Sequence, residues 1–186
     1  MTEPDLSGRL LVATPLLGDP NFARRVIMLL QHDGDGAMGV VVNRASEVPV
    51  GDVLPTWATL TSEPAVLFHG GPVALDSALG IARVAAPDAE PIGWRRLHGS
   101  IGLIDLDTPT ELLVGVFAAL RIFAGYAGWG QGQLEGEIDE GAWYVVDADD
   151  EDPFVHAPAE LWRSILRRQG GALALVSTYP DDPALN

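Results

Sequence analysis

Two apolar runs, Val26 to Gln31 and Met38 to Asn43, flank the four-residue stretch Asp33-Gly34-Asp35-Gly36. Alternating aspartate and glycine supply the local hydrogen bonds and the conformational freedom that a tight turn needs, and the second run is β-branched. The segment therefore reads as an antiparallel hairpin. A hairpin this apolar on both arms must be covered on both faces, so it constrains the rest of the chain to provide helices or further strands around it.

The remaining segments fit that demand. Leu10 to Ala13 reads as a buried strand, and Thr14 to Asn21, with two prolines, a glycine and an aspartate, as a loop. Pro49 to Trp57 predicts a short helix. Val66 to Phe68, Leu79 to Ala85 and Ile101 to Leu106 read as strands, with a polar loop over Ala86 to Pro91. Thr108-Pro109-Thr110-Glu111 has the form of a capping box with proline at the first helical position, and Leu113, Val116, Phe117 and Leu120 after it predict a helical face. Arg121 to Tyr126 reads as a strand leading into a glycine-rich turn, Gln133 to Asp139 as a short helix and Trp143 to Val146 as a strand. Ala159 to Gln169 reads as a helix ended by Gly170-Gly171. There is no internal repeat and no linker. The expectation is one α/β domain of the α+β type over residues 1–186, with residues 1–8 a loose tail. Its sheet is bent and mostly antiparallel, and its helices pack outside it.

Composition narrows the chemistry. The formal net charge is −15, cysteine is absent and all 11 basic residues are arginine. Thiol nucleophiles, disulfides and zinc–thiolate sites are therefore excluded, as are lysine Schiff bases and the lysine of a phosphate-binding P-loop. The charge opposes direct binding to nucleic acid. Among the arginine groups, Arg163, Arg167 and Arg168 read as partners of a helix C-terminus. The longest apolar run, Leu112 to Leu120, is too short to cross a bilayer. The acidic start, Met1 to Asp5, lacks the features of a signal peptide, so a cytoplasmic protein is expected.

Several motif look-alikes have plainer readings. Gly34-Asp35-Gly36-Ala37-Met38-Gly39 has the spacing of a dinucleotide-binding loop, but it opens a strand where such a loop must open a helix. Gly130-Gln131-Gly132-Gln133-Leu134-Glu135-Gly136 follows a strand and enters a helix, in the order a nucleotide site needs. Its Glu135 and Glu137, however, stand where a pyrophosphate would want no negative charge. Phe68-His69-Gly70-Gly71 has the look of an oxyanion loop, yet no serine nucleophile elbow occurs in the chain. His32, His69, His98 and His156 show no metal-ligand spacing, and Asp147 to Asp152 reads as a solvated acidic loop. No cofactor and no metal are expected.

Taken in order, a set of segments resembles the AlgH/YqgE family of bacterial proteins. It runs from Gly8-Arg9-Leu10-Leu11-Val12-Ala13-Thr14-Pro15 through Asp19-Pro20-Asn21-Phe22, Arg25 and Gln31-His32-Asp33 to Gly36-Ala37-Met38-Gly39-Val40-Val41-Val42-Asn43-Arg44. Gly70-Gly71-Pro72-Val73, Gly125-Tyr126-Ala127-Gly128-Trp129, Gly132-Gln133-Leu134-Glu135, Glu137, Trp143, Trp162 and Asn186 complete it. The resemblance implies an α/β domain whose sheet splits and curls into a pseudo-barrel with helices outside. It implies no reaction, and one branch of the family is linked by name to regulation of alginate synthesis. Where the family commonly carries Glu-His-Asp, this chain has Gln31-His32-Asp33, and its end reads Ala184-Leu185-Asn186.

The functional expectation is a non-enzymatic binding or regulatory protein whose partner is a small molecule or another protein. The alternative is a small enzyme or nucleotide binder using the Gly130–Gly136 turn. The expected site lies where the Gly70-Gly71-Pro72 turn meets the segment from Tyr126 to Gln133. Bare glycine backbone, the flat faces of Tyr126 and Trp129, the amides of Asn43 and Gln133 and the charge of Arg25 would converge there. The competing reading makes Trp129 a plug of the core.

Overall fold

The computed structural model describes residues 4–181. The first three residues of the expected tail, and Ala184-Leu185-Asn186, lie outside the described residues. The hairpin forms as read: β2 (Val26–Asp33) and β3 (Gly36–Val41) pair antiparallel, with a bulge between Leu29 and Gln31. On the outer side of β2 lies β1 (Leu10–Ala13), and beyond it β10 (Trp143–Val146), each pairing antiparallel.

These strands alternate in the way a sheet covered on both faces must. Leu10, Val12, Val26, Met28 and Val40 point into one cluster with Leu161, Trp162, Ile165 and Leu166 of the helix α3 (Leu161–Gln169). Leu11, Ala13, Ile27, Leu29 and Val41 point the other way, toward Trp129, Trp143 and Leu134, the last in helix α2 (Gln133–Asp139). Trp162 fixes α3 to the sheet by donating from Nε1 to the Ala13 carbonyl at 2.8 Å. Gly170 (φ 72°) ends α3 as expected, and a further short helix, α4 (Gly171–Val176), follows directly.

The second half of the sheet is built on β9 (Phe117–Gly130), a strand of 14 residues. It pairs with β6 (Val73–Val84), which is followed outward by β8 (Ile101–Ile104) and β7 (Trp94–His98). The ladder from β10 to β7 curls into an antiparallel half-barrel, and β9 belongs to both halves. Two short strands, β4 (Ala45–Pro49) and β5 (Val66–His69), pair with each other off this path, and β5 runs parallel to β9. The helix α1 (Val50–Val53) and a 3-10 turn over Pro55–Leu60 cover the outer half together with the buried Trp57.

The largest departure from the sequence reading is at the capping-box motif. Only a 3-10 turn, Thr110–Leu112, forms there, without a side-chain cap. Gly115 (φ 74°) turns the chain, and the expected helical face becomes the start of β9: Phe117 pairs with Val84 and Leu120 with Ala82. The expected glycine-rich turn after Tyr126 is also strand, paired with β3 as far as Gly130. The tail is tethered where it is described. Leu6 N–H donates to His32 Nδ1 (3.1 Å), His32 N–H to Ser7 Oγ (3.0 Å) and Gly8 N–H to the Leu29 carbonyl (2.8 Å). The acidic loop is tied down as well. Asp152 is buried and accepts from Arg168 at 2.8 and 2.9 Å, and the pairing holds the Arg168 pKa above its usual value. No helix among the described residues is long and apolar enough to cross a membrane.

Candidate functional site

The split of the sheet creates the site. β3 pairs with β9 from Gly36↔Gly130 to Gly39↔Ala127 and then leaves it. The gap is filled by the end of β5, with Phe68↔Phe123 and His69↔Ala124. Gly70 sits in the crotch of this fork and stitches both sides. Its N–H donates to the Ala124 carbonyl, and its carbonyl accepts from the Val41 N–H, both at 2.8 Å.

The approach is too close for any side chain. A Cβ on Gly70 would stand 2.2 Å from the Gly125 carbonyl oxygen, and one on Gly71 would stand 2.2 Å from the carbonyl carbon and oxygen of Tyr126. The two glycine blocks of the sequence thus meet, as expected.

Beside this fork lies a cleft of about 270 Å³ lined by Asn21, Val41, Arg44, His69, Gly71, Pro72 and Leu75. The lining combines the polar side chains of Asn21, Arg44 and His69 with the apolar Pro72 and Leu75. No aspartate, glutamate, serine or threonine lines it. Asn43 is buried behind it. Asn43 Oδ1 accepts from the Val26 N–H and its Nδ2 donates to the Arg24 carbonyl, both at 2.9 Å. Both polar ends of Asn43 are thereby spent on closing the mouth of the β2–β3 hairpin. Arg25, between those two anchored residues, is half-buried. Burial, and secondarily the nearby charge of Arg44, pushes its pKa below the usual arginine value.

The other expected site residues lie elsewhere. Trp129 is only 6% exposed and packs in the inner cluster, stacked with Phe22 and edge-on to Trp143. Its Nε1 donates to Glu137 Oε2 at 2.9 Å, and Trp143 Nε1 donates to the same oxygen at 2.8 Å. Trp129 is a core residue, and Gly36 on the facing strand, where a Cβ would stand 2.2 Å from the Trp129 carbonyl oxygen, lets the strands approach. Gln133 is exposed at the start of α2. Its Oε1 accepts from the Gly130 N–H and its Nε2 donates to Glu137, both at 3.0 Å. Tyr126 is half-buried against the main cluster and does not line the cleft.

Arg44, His69, Asn21 and Leu75 were missing from the expected set. Arg44 and His69 are direct neighbours of the chosen Asn43 and Gly70, and that adjacency was the available signal.

The Gly130–Gly136 turn does not form a parallel βαβ unit, because β10 pairs with β1 and not with β9. What stands over it is a histidine–carboxylate pair: His32 Nε2 lies 2.5 Å from Glu135 Oε1. The Leu6 N–H occupies His32 Nδ1, so the proton of the neutral ring is on Nε2 and Glu135 accepts it. The bond from His32 lowers the Glu135 pKa. Among the described residues, no group of three or more histidine, aspartate or glutamate side chains is placed to hold a metal ion.

Comparison with known proteins agrees with the geometry. A family model described as AlgH-like matches residues 10–174. A UPF0301 protein of Streptomyces coelicolor is 60% identical over 190 residues, covering 100% of this chain and 98% of the relative. A UPF0301 protein of Thermobifida fusca is 48% identical over 195 residues, again covering 100% and 98%. Among solved structures, a crystal structure of a Corynebacterium diphtheriae protein superposes with a TM-score of 0.87 at 32% identity, covering 95% of this chain and 93% of the other. The solution structure of the AlgH protein from Pseudomonas aeruginosa superposes with a TM-score of 0.70 at 28% identity, covering 98% of each chain.

Proposed function

We propose, for a chain that belongs to the AlgH-like family, a non-enzymatic binding or regulatory role centred on the cleft at the fork of the sheet. The observation that carries this reading is the make-up of the cleft wall: donors and apolar surface without a nucleophile or an acid–base pair. His69 hydrogen-bonds to no side chain among the described residues, so no carboxylate orients its ring or stabilises the imidazolium that a general base becomes. The histidine that has a carboxylate partner, His32, has its second nitrogen occupied by backbone and is buried. A pocket that combines a few donors with apolar lining fits recognition of a small molecule or of a short segment of a partner protein.

A fragment screen read by amide chemical shifts tests the reading. Hits are expected to displace the signals of His69, Gly70 and Gly71. Hits that instead cluster on the Gly130–Gly136 turn, or a compound that is turned over, would remove its basis.

A further inference from the structure

We propose that the cleft at the fork takes a doubly charged phosphate monoester with a small apolar body, held by Arg44, His69 and Asn21 and by the field of Arg25. This rests on the cleft being the binding site, and it names the chemical class of the ligand.

The charges of this chain are mostly matched. Arg9, Arg83, Arg163 and Arg168 are paired with carboxylates. Arg24, Arg96 and Arg121 donate to backbone carbonyls. Arg95 and Arg167 lack such partners too, but they stand exposed to water. Arg25 and Arg44 differ: both are half-buried, among the described residues neither side chain has a hydrogen-bond acceptor or an ion-pair partner, and Arg25 feels the charge of Arg44. In a chain with 26 acidic residues, two half-buried guanidinium groups without a carboxylate, one of them lining the cleft, mark a place where the negative partner comes from outside. Arg25 Nε is buried and makes no hydrogen bond, so Arg25 adds to the field without spending it on a neighbour.

The geometry matches a phosphate better than a lone carboxylate. A guanidinium presents parallel N–H groups that fit two phosphate oxygens at once, and two guanidinium charges balance a dianion. The Asn21 amide and the His69 ring add further polar groups to the lining. Pro72 and the well-exposed Leu75 offer apolar surface to whatever carries the phosphate. The net charge of −15 repels dianions elsewhere, so saturable binding reports this place and not a general attraction.

The test uses the full chain at constant ionic strength, titrated with inorganic phosphate, phenyl phosphate and phenol and followed by amide and arginine Nε–H shifts. Phenyl phosphate is expected to shift His69, Gly70, Gly71 and Arg44 saturably, with a Kd below about 1 mM, and inorganic phosphate to do so more weakly. Arg44→Gln and Arg25→Gln should each weaken binding about tenfold, while Arg95→Gln and Arg167→Gln should leave it unchanged. Equal binding to Arg44→Gln and wild type overturns the proposal. If phenol shifts the cleft and neither phosphate does, the anion assignment falls and the cleft reading stands. If none of the three shifts it, both fall.

Discussion

The imidazole of His32 and the carboxylate of Glu135, 103 residues apart, meet at 2.5 Å where β2 passes under α2. The contact ties a helix to the sheet, and through Leu6 it ties the N-terminal segment to both. Because the bond lowers the Glu135 pKa beneath its ordinary 4.5, its stabilisation is fully present above that value. It is lost as pH falls through the lowered pKa, where the folded state must take up a proton. Urea midpoints of wild type and Glu135→Gln should therefore differ at neutral pH and converge as the solution is acidified below 4.5. A constant gap across that range would show that the carboxylate charge contributes nothing.

Glu137 Oε2 accepts two indole N–H groups at once, from Trp129 and Trp143. Glu137→Ala leaves both donors of nearly buried rings without an acceptor and should cost about 2–4 kcal/mol in urea denaturation. Glu137→Gln keeps an acceptor oxygen and should cost less. Trp129→Ala should cost about 3–5 kcal/mol, the loss expected of a core plug. A near-neutral result for Trp129→Ala would return the ring to the surface role.

Arg121 is fully buried in the middle of β9, with Nη1 donating to the carbonyls of Pro153 and Val155 and Nη2 to that of Glu63. The guanidinium also lies over the Phe68 ring at 4.2 Å. Burial pushes its pKa down to about 10, so it carries its charge at neutral pH, and the carbonyls and the ring compensate for the lost water. Arg121→Leu should destabilise by about 2–4 kcal/mol, because carbonyls lose their donor. Arg121→Lys, which retains a charge and part of the bonding, should lose less. Equal urea midpoints for Arg121→Leu and wild type would sink this account.

Gly71→Ala tests the fork itself. The added methyl would run into the backbone of Tyr126, which cannot give way as a side chain can. The expected cost is about 1–3 kcal/mol or more. Gly34→Ala is the control: nothing lies within 4 Å of its Cβ position, so its midpoint should stay within about 0.5 kcal/mol of wild type. Similar losses at both positions would mean that the close approach is not what selects glycine at residue 71.

The inner half of the sheet was legible because its runs are short, apolar and separated by strong turn residues: Leu10–Ala13, the β2–β3 hairpin and Trp143–Val146 all formed where read. The outer half was legible only in part: Val66–Phe68, Leu79 to Val84, Ile101 to Ile104 and Arg121 to Tyr126 are strand as read, whereas the start of β9 and all of β7 are not where the sequence pointed. Leu120, Ile122 and Phe123 are buried, as is Arg121 between them, so β9 has no polar–apolar alternation that would extend the strand read at Arg121 to Tyr126 back to Phe117. Its alanines and leucine also satisfy a helical pattern equally well. Pairing with β6 along most of its length overrides the capping-box signal. β7 escaped notice because Arg95 and Arg96 are exposed on an edge strand, where charge is tolerated. At the site, the glycines signalled a close backbone approach, and the approach is there. Which flat side chains faced outward was not readable, since a one-residue offset in a strand exchanges core for surface.

The pairing of β1 with β10 has a consequence in time. Leu10 faces Val146 and Ala13 faces Trp143, so β1 is made before every other strand of the sheet and receives its outer partner only after all of them have been made. Until then the hairpin side of β1 can be paired while its far edge is bare, and the nascent domain cannot close. The last wall of the inner core is thus delivered late, and it brings Trp143, the second of the two indoles that Glu137 holds together.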